Sequence, residues 1–388
     1  MKEINQIGLT LISFFSYAFT GALVVVTGMI MGNIANYFNL SIAQMSNTFT
    51  FLNGGILISI FLNSWLIEII SLKKQIIFGF ILTIISIIGI VFFKNIFLFS
   101  VSMFILGLVS GITMSIGTFI ITSLYSGAKR SSRLLLTDSF FSMSGMIFPI
   151  ITATLLEKKI LWYWIYICIG LVYLIIFLLT INLNFTQLKN KIKSINQKKE
   201  RCNTNIVLLS IAALLYILGQ LGFISWVPQY VTEYMHVNIQ KTGSLVSSFW
   251  MSYMVGMWCF SFVIKFFNLH RILIFLTSIS TIFMFCFIHS QNFLLQQCMI
   301  ISLGFFSSAI YTIIITLASL QTKNPCPKLI NLILLFGTIG TLLTFVVTSP
   351  IVEKKGLYAS LISSNILYSI VFMLSILIYL NTKDKKIT

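Results

Sequence analysis

One acid in this chain sits where an acid is costly. Asp138 lies inside an apolar block, in RLLLTDSFFSMSGMIFP, five residues after Arg133. An ionisable side chain at mid-bilayer costs roughly 2.5–3.5 kcal/mol on insertion scales, so its presence asks for a role or a partner. Five helical residues advance about 7–8 Å, which puts Asp138 within the block, toward the side that carries Arg133. Such a carboxyl group could take up and release a proton and so respond to a proton gradient. It could instead pair with a base, or pack with neither role. The other seven acids fall at or beyond the ends of apolar blocks.

Nothing else has the spacing of a catalytic or metal centre. The six cysteines (Cys168, Cys202, Cys259, Cys286, Cys298 and Cys326) form no CxxC pair, and His236, His270 and His289 are far apart. That pattern makes neither a disulfide framework nor a metal site. HExxH, a Ser/His/Asp set and facing carboxylates are all missing from the sequence, which argues against an enzyme. No cofactor is expected.

The elements that position Asp138 are membrane helices. Hydrophobic residues make up 58 % of the chain and charged residues 9 %, too little charge to cover a soluble domain of 388 residues. The apolar residues fall in blocks near or above the ~18–20 residues that span a hydrocarbon core. Spans are predicted near 8–35, 44–70, 75–93, 96–125, 134–156 and 160–182, then near 206–232, 242–266, 271–289, 293–321, 329–352 and 356–380. The first block is too long for a signal peptide and reads as a retained helix. Pro149 and Pro228 are expected to kink the fifth and seventh spans. The predicted architecture is an all-α membrane protein of twelve transmembrane helices. Its domains are an N-terminal bundle (1–182), a basic linker (183–205) and a C-terminal bundle (206–388).

The net charge of +17 is scattered through short loops, so it speaks for membrane orientation and against nucleic-acid binding. With the N-terminus inside, 19 of the 25 Lys and Arg residues fall in inner loops. Only Lys94, Lys158, Lys159, Lys241, Lys354 and Lys355 fall outside. That bias predicts both termini in the cytoplasm and an even number of crossings.

The halves also repeat, at an offset of about 195–197 residues. Leu72-Lys73-Lys74 matches Leu269-His270-Arg271, and Leu106-Gly107 with Ser110 matches Leu303-Gly304 with Ser307. Arg133 and Gly145 match Lys328 and Gly340, and Glu157-Lys158-Lys159 matches Glu353-Lys354-Lys355. Two parallel six-helix repeats are the signature of a transporter that rocks about a central site.

Six plus six spans, a basic central loop and this repeat resemble the major facilitator superfamily over the whole chain. The usual basic signature after the second span is worn here to Glu68 and Lys73-Lys74 within SWLIEIISLKK. Longer runs such as SYAFTGALVVVTGMIMGNIANYFNLS, MSNTFTFLNGGILISIFLN and YILGQLGFISWVP resemble an enteric bacterial branch similar to the fucose and hexose permeases. The resemblance implies a bacterial inner-membrane protein that works as a monomer.

It also implies which spans meet. Spans five and eight pack across the interface between halves in this family, as do two and eleven. Asp138 with Lys265, and Glu68 with Lys328, are then candidate cytoplasmic latches, with Arg133 beside the first. The central cavity is lined mainly by spans one, four, seven and ten. Its candidates are Tyr17, Thr20, Asn33, Thr113 and Thr118, then Gln220, Trp226, Tyr311 and Thr312. Flanking spans add Asn47, Asn53, Ser142, Trp250 and Tyr253. Each of these also has a plain reading, because Ser, Thr and Asn often bond helix to helix and Trp or Tyr often mark the interface. Neutral hydrogen-bonding groups among aromatics suit a polar, uncharged solute such as a sugar. The expected partners are the lipid bilayer, that solute and protons. An exporter, an uncoupled facilitator and a non-transporting sensor are the other readings open to such a scaffold.

Overall fold

The structure, a computed structural model, describes residues 2–125, 127–185, 204–264, 266–319 and 327–387. The side chains of 2, 60, 64, 67, 68, 127–132, 319, 327–331 and 383–387 lie outside that description. The chain divides into two compact units, Met1–Gln197 and Lys198–Thr388.

The first unit holds spans one to six: Lys2–Phe38, Ile42–Ile69, Leu72–Phe92, Ile96–Leu124, Gly127–Glu157 and Trp164–Asn182. The second opens with span seven (Thr204–Tyr234), span eight (Ile239–Val263) and span nine (Leu269–His289). Span ten comes in two pieces, Phe293–Ser307 and Ile310–Ser319. A last helical stretch, Pro327–Ile387, has 61 residues. At 1.5 Å per residue it would run about 90 Å, three times a hydrocarbon core of ~30 Å.

Length and hydropathy alone give eleven crossings, because Leu332–Thr382 runs on as one. The backbone makes it two. Gly356 leaves the helix at φ 83°, ψ 173°, and the three residues before it, Glu353, Lys354 and Lys355, are exposed. Spans eleven and twelve therefore meet at this break, which brings the described residues to twelve crossings. The conformation at Gly356 is essentially confined to glycine, so Gly356→Ala is expected to cost about 1–3 kcal/mol. A lowered melting temperature of the detergent-solubilised protein would register it.

Three boundaries differ most from the sequence expectation. Span one begins at Lys2 rather than near 8, span five at Gly127 rather than near 134, so Arg133 lies on its helix, and the last helix runs to Ile387 rather than ending near 380. The reason is that apolar runs mark the lipid-facing length only, while Lys, Arg and Glu continue a helix well. Pro149 and Pro228 lie inside helices that continue through them.

The repeat is written into the backbone. Ser41 and Asn238, Ser71 and Asn268, and Asn95 and Asn292 hold the N-cap positions of spans two and eight, three and nine, and four and ten, each pair 197 residues apart. Positive φ angles occur at Asn39, Lys159, His236 and Gly356 among the described residues. These too pair at 197, Asn39 with His236 and Lys159 with Gly356. Short polar caps start spans two, four, eight, nine and ten by meeting the first orphan N–H groups, and the positive-φ residues follow the ends of spans one, five, seven and eleven.

Packing inside the two units repeats as well. A Cβ on Gly107 would overlap the Leu52 carbonyl oxygen, and one on Gly304 the Phe249 carbonyl oxygen, again 197 apart. Spans two and four thus touch backbone to backbone, as do spans eight and ten. Gly111 in span four fits over Ser59 in span two, whereas Gly256 in span eight fits under Ser308 in span ten. The same slot carries glycine and serine in exchanged order. Lipid tails offer no hydrophobic drive between helices, so close approach of small residues supplies the attraction.

Candidate functional site

In the first unit, spans one and four run antiparallel and are bridged twice. Tyr17 Oη lies 2.8 Å from Thr118 Oγ1, and Tyr125 Oη lies 2.8 Å from Thr10 Oγ1. The pairs are seven residues apart on both helices, about two turns along each. Their polarity follows from counting protons. Thr118 Oγ1 donates to Met114 O at 3.0 Å, and Thr10 Oγ1 donates to Gln6 O at 2.8 Å. A hydroxyl has one proton, so each threonine accepts from its tyrosine. The Arg133 guanidinium lies 5.5 Å from the centre of the Tyr125 ring, a cation–π distance.

Span five is held against span one over the same stretch as these bridges. Phe14 and Phe140 stack with centroids 4.5 Å apart, and Gly21 fits against Ser144 and the Phe141 carbonyl. Tyr17 lies between these two contacts on span one. Asp138 lies in the same packed stretch yet is exposed, while Thr137 and Ser139 on either side are buried. Their hydroxyls return to their own helix, Thr137 to Arg133 O and Ser139 to Leu136 O, each at 2.7 Å. Asp138 is near enough for its charge to act on Tyr17. Tyr17 and Thr118 thus bond across spans one and four, with Asp138 of span five within electrostatic reach of Tyr17.

The remaining candidates of this unit divide by environment. Thr20 is buried and bonds Ser16 O and Ser110 O. Thr113 is 1 % exposed, donates to Val109 O at 2.6 Å and lies 3.0 Å from Tyr173 Oη. These two join helices. Ser142 and Asn53 are buried, whereas Asn33 and Asn47 are exposed.

The second unit carries an aromatic group instead. Tyr216 Oη donates to Ser307 O at 2.7 Å, and Tyr368 Oη reaches Ser307 Oγ at 3.5 Å. Tyr253 is close enough to act on both tyrosines. Trp250 is buried, 5.2 Å from the Phe249 ring and 5.5 Å from the Tyr253 ring. Gln220 is 4 % exposed, and its Nε2 has no hydrogen-bond partner among the described residues. A buried amide without a partner is costly, so this one is poised to donate. Tyr311 and Thr312 are half-buried, the Tyr311 hydroxyl lying over Gly337.

Trp226 is wholly buried, and its Nε1 donates to Thr348 Oγ1 at 2.8 Å. This bond ties span seven to span eleven. Thr348 keeps a bond to Thr344 O, so Trp226→Phe leaves no orphan there. It is expected to cost about 1–2 kcal/mol, from one interhelical bond and some lost volume, measured as a modest drop in melting temperature.

Sequence reading passed over Thr10, Tyr125, Tyr216 and Tyr368. The repeat held a signal for the last two, since Phe19 and Tyr173 lie 197 and 195 residues before them and their rings also meet, at 4.9 Å. Lys265 and the side chains of Glu68 and Lys328 lie outside the described residues.

The comparisons with known proteins point one way. A family model described as Major Facilitator Superfamily matches residues 9–325. A protein of Buchnera aphidicola subsp. Acyrthosiphon pisum (strain 5A), called Protein TsgA homolog, is 77 % identical over 387 residues, covering 100 % of both chains. A TsgA homolog of Buchnera aphidicola subsp. Schizaphis graminum is 70 % identical over 99 % of each chain. One from Edwardsiella ictaluri is 57 % identical over 99 % of this chain and 98 % of its own. Twelve crossings, a repeat carried by caps, bends and helix contacts, and these full-length likenesses place the chain in the major facilitator superfamily of membrane transporters, among its TsgA-type members.

Proposed function

We propose that the chain is a secondary transporter that moves a small, polar, uncharged solute, sugar-like in its hydrogen bonding, across the bacterial inner membrane by alternating access. Both termini lie in the cytoplasm, as the loop charges require. Proton movement through Asp138 drives the solute. The observation that carries this reading is Asp138 itself, an exposed carboxyl group inside span five and within electrostatic reach of Tyr17. Intramembrane ionisable groups mark ion pathways and proton relays. Solute recognition falls to neutral groups such as Gln220, Tyr253 and Trp250. Among the described residues no Lys or Arg lies mid-span, which suits a solute that needs no counter-charge.

The test has two stages. A thermal-shift screen of the purified protein against neutral sugars, polyols and organic anions identifies ligands, because binding to the folded state raises its stability. Uptake of the ligand found is then measured in proteoliposomes with an inward, an outward and no pH gradient. Accumulation of a neutral ligand with the inward proton gradient alone is the expected result. Accumulation with the reversed gradient would make the protein an exporter, and equilibration regardless of gradient a facilitator. A screen that returns only organic anions would overturn the solute class.

A further inference from the structure

We propose that Tyr17 is a positioning residue that links the protonation of Asp138 to the contact between spans one and four. The inference rests on the reading of Asp138 as the proton site and adds how its proton is sensed. Tyr17 has one hydroxyl proton and two possible acceptors. One is Thr118 Oγ1 at 2.8 Å, whose own proton is committed to Met114 O. The other is Asp138, two residues before Phe140 on span five, where the Phe14–Phe140 stack holds that helix against span one three residues from Tyr17, and its charge reaches Tyr17. With Asp138 protonated and neutral, the Tyr17 hydroxyl donates to Thr118 and bridges the helices. With Asp138 ionised, its charge draws that proton around the Cζ–O bond, directly or through one water. Hydrogen bonds to an ionised acceptor are roughly twice as strong as neutral ones. The Thr118 bond then opens. No covalent bond of Tyr17 breaks, and the Asp138 proton leaves to water at its exposed face.

The surroundings keep this choice between two partners. On its own helix the charged neighbour of Asp138 is Arg133, which lies over the Tyr125 ring. From the end of span four comes Tyr125, whose hydroxyl is engaged with Thr10. Span six carries two buried tyrosines, Tyr173, engaged with Thr113 and Ile76 O, and Tyr166, engaged with the Met103 sulfur. Tyr17 is thus the titratable group that span one offers to Asp138. The second unit has no counterpart. At the offset of 197 residues Tyr17 and Thr118 correspond to Leu214 and Ile315, and at the 195 residues relating Gly145 to Gly340 Asp138 corresponds to Ile333. The switch therefore belongs to the first unit alone.

Infrared pH-difference spectra of the full-length protein in liposomes test this with protons as the only ligand. The wild type is expected to show a carboxyl C=O change and a tyrosine C–O–H change with one shared midpoint. Asp138→Asn should lose both. Tyr17→Phe should lose the tyrosine change and keep the carboxyl one. Thr118→Val, which deprives Tyr17 of its second acceptor, should keep the carboxyl change and weaken the tyrosine change. A tyrosine change that persists in Tyr17→Phe, or a carboxyl change with no tyrosine partner in the wild type, overturns the role of Tyr17 and leaves the proton site standing. A carboxyl change that survives in Asp138→Asn overturns the proton site itself.

Discussion

Asp138→Asn is expected to abolish uptake driven by a proton gradient while solute exchange at equal pH on both sides continues. The asparagine is always neutral, so it stands in for the protonated aspartate and cannot release a proton. A step that needs only the neutral form still runs. A step that needs net proton discharge stops. The magnitude follows from the cost of charge in the membrane. Ionising a carboxyl group at the bilayer centre is opposed by roughly 2.5–3.5 kcal/mol, and each ~1.4 kcal/mol is a factor of ten. At the exposed position of Asp138, toward the Arg133 end of span five, the bias is smaller, about ten-fold, and net uptake should fall by at least that factor. The measurement is accumulation against counterflow in the same proteoliposomes. Loss of both in equal proportion would make Asp138 a structural residue, and accumulation at the wild-type level would remove it from coupling.

The second large effect concerns the exchanged glycine and serine. Gly111→Ser is expected to destabilise the first unit sharply, because its Cβ would overlap the Ser59 side chain. Overpacking of this kind costs about 1–3 kcal/mol, more where backbone is also close, and Ile56 O lies 3.0 Å from the same point. Ser59→Gly alone only opens space. The pair Ser59→Gly with Gly111→Ser should recover most of the loss, because the second unit already uses that arrangement at Gly256 and Ser308. Contacting residues couple by about 0.5–3 kcal/mol, so the cycle should show strong non-additivity. Monodispersity on size exclusion and melting temperature read it directly. Additive effects would mean that spans two and four do not meet at this slot.

Together these expectations separate the framework from the working parts. The framework is duplicated, in N-caps, left-handed turns and close glycines at one offset. The polar interior is not. Tyr17, Thr118 and Asp138 have aliphatic counterparts in the second unit. In the other direction, Tyr253, Trp250 and Gln220 correspond at 197 residues to Ile56, Asn53 and Leu23 in the first. On the proposed reading, ion handling and solute handling therefore fall to different halves of one repeated scaffold.

Much of this was legible in the chain itself. Apolar blocks of spanning length predicted twelve crossings, because hydrocarbon tolerates only a helix or a closed barrel. Matches such as Glu157-Lys158-Lys159 with Glu353-Lys354-Lys355 exposed the duplication, because loops end at equivalent points when two bundles share a plan. Asp138 stood out for an energetic reason, as an acid inside an apolar run. Family membership followed from long runs rather than from the worn signature at Glu68 and Lys73-Lys74. What only the tertiary structure decided was the partner of each polar group. Whether Thr113 packs against Tyr173, or Trp226 bonds Thr348 across helices, depends on the register between segments far apart in sequence. The hydropathy of one segment carries no information about that register. The close fits at Gly107 and Gly304, the break at Gly356 and the Tyr17 bridge beside Asp138 all belong to that second class, because each is set by how two helices approach.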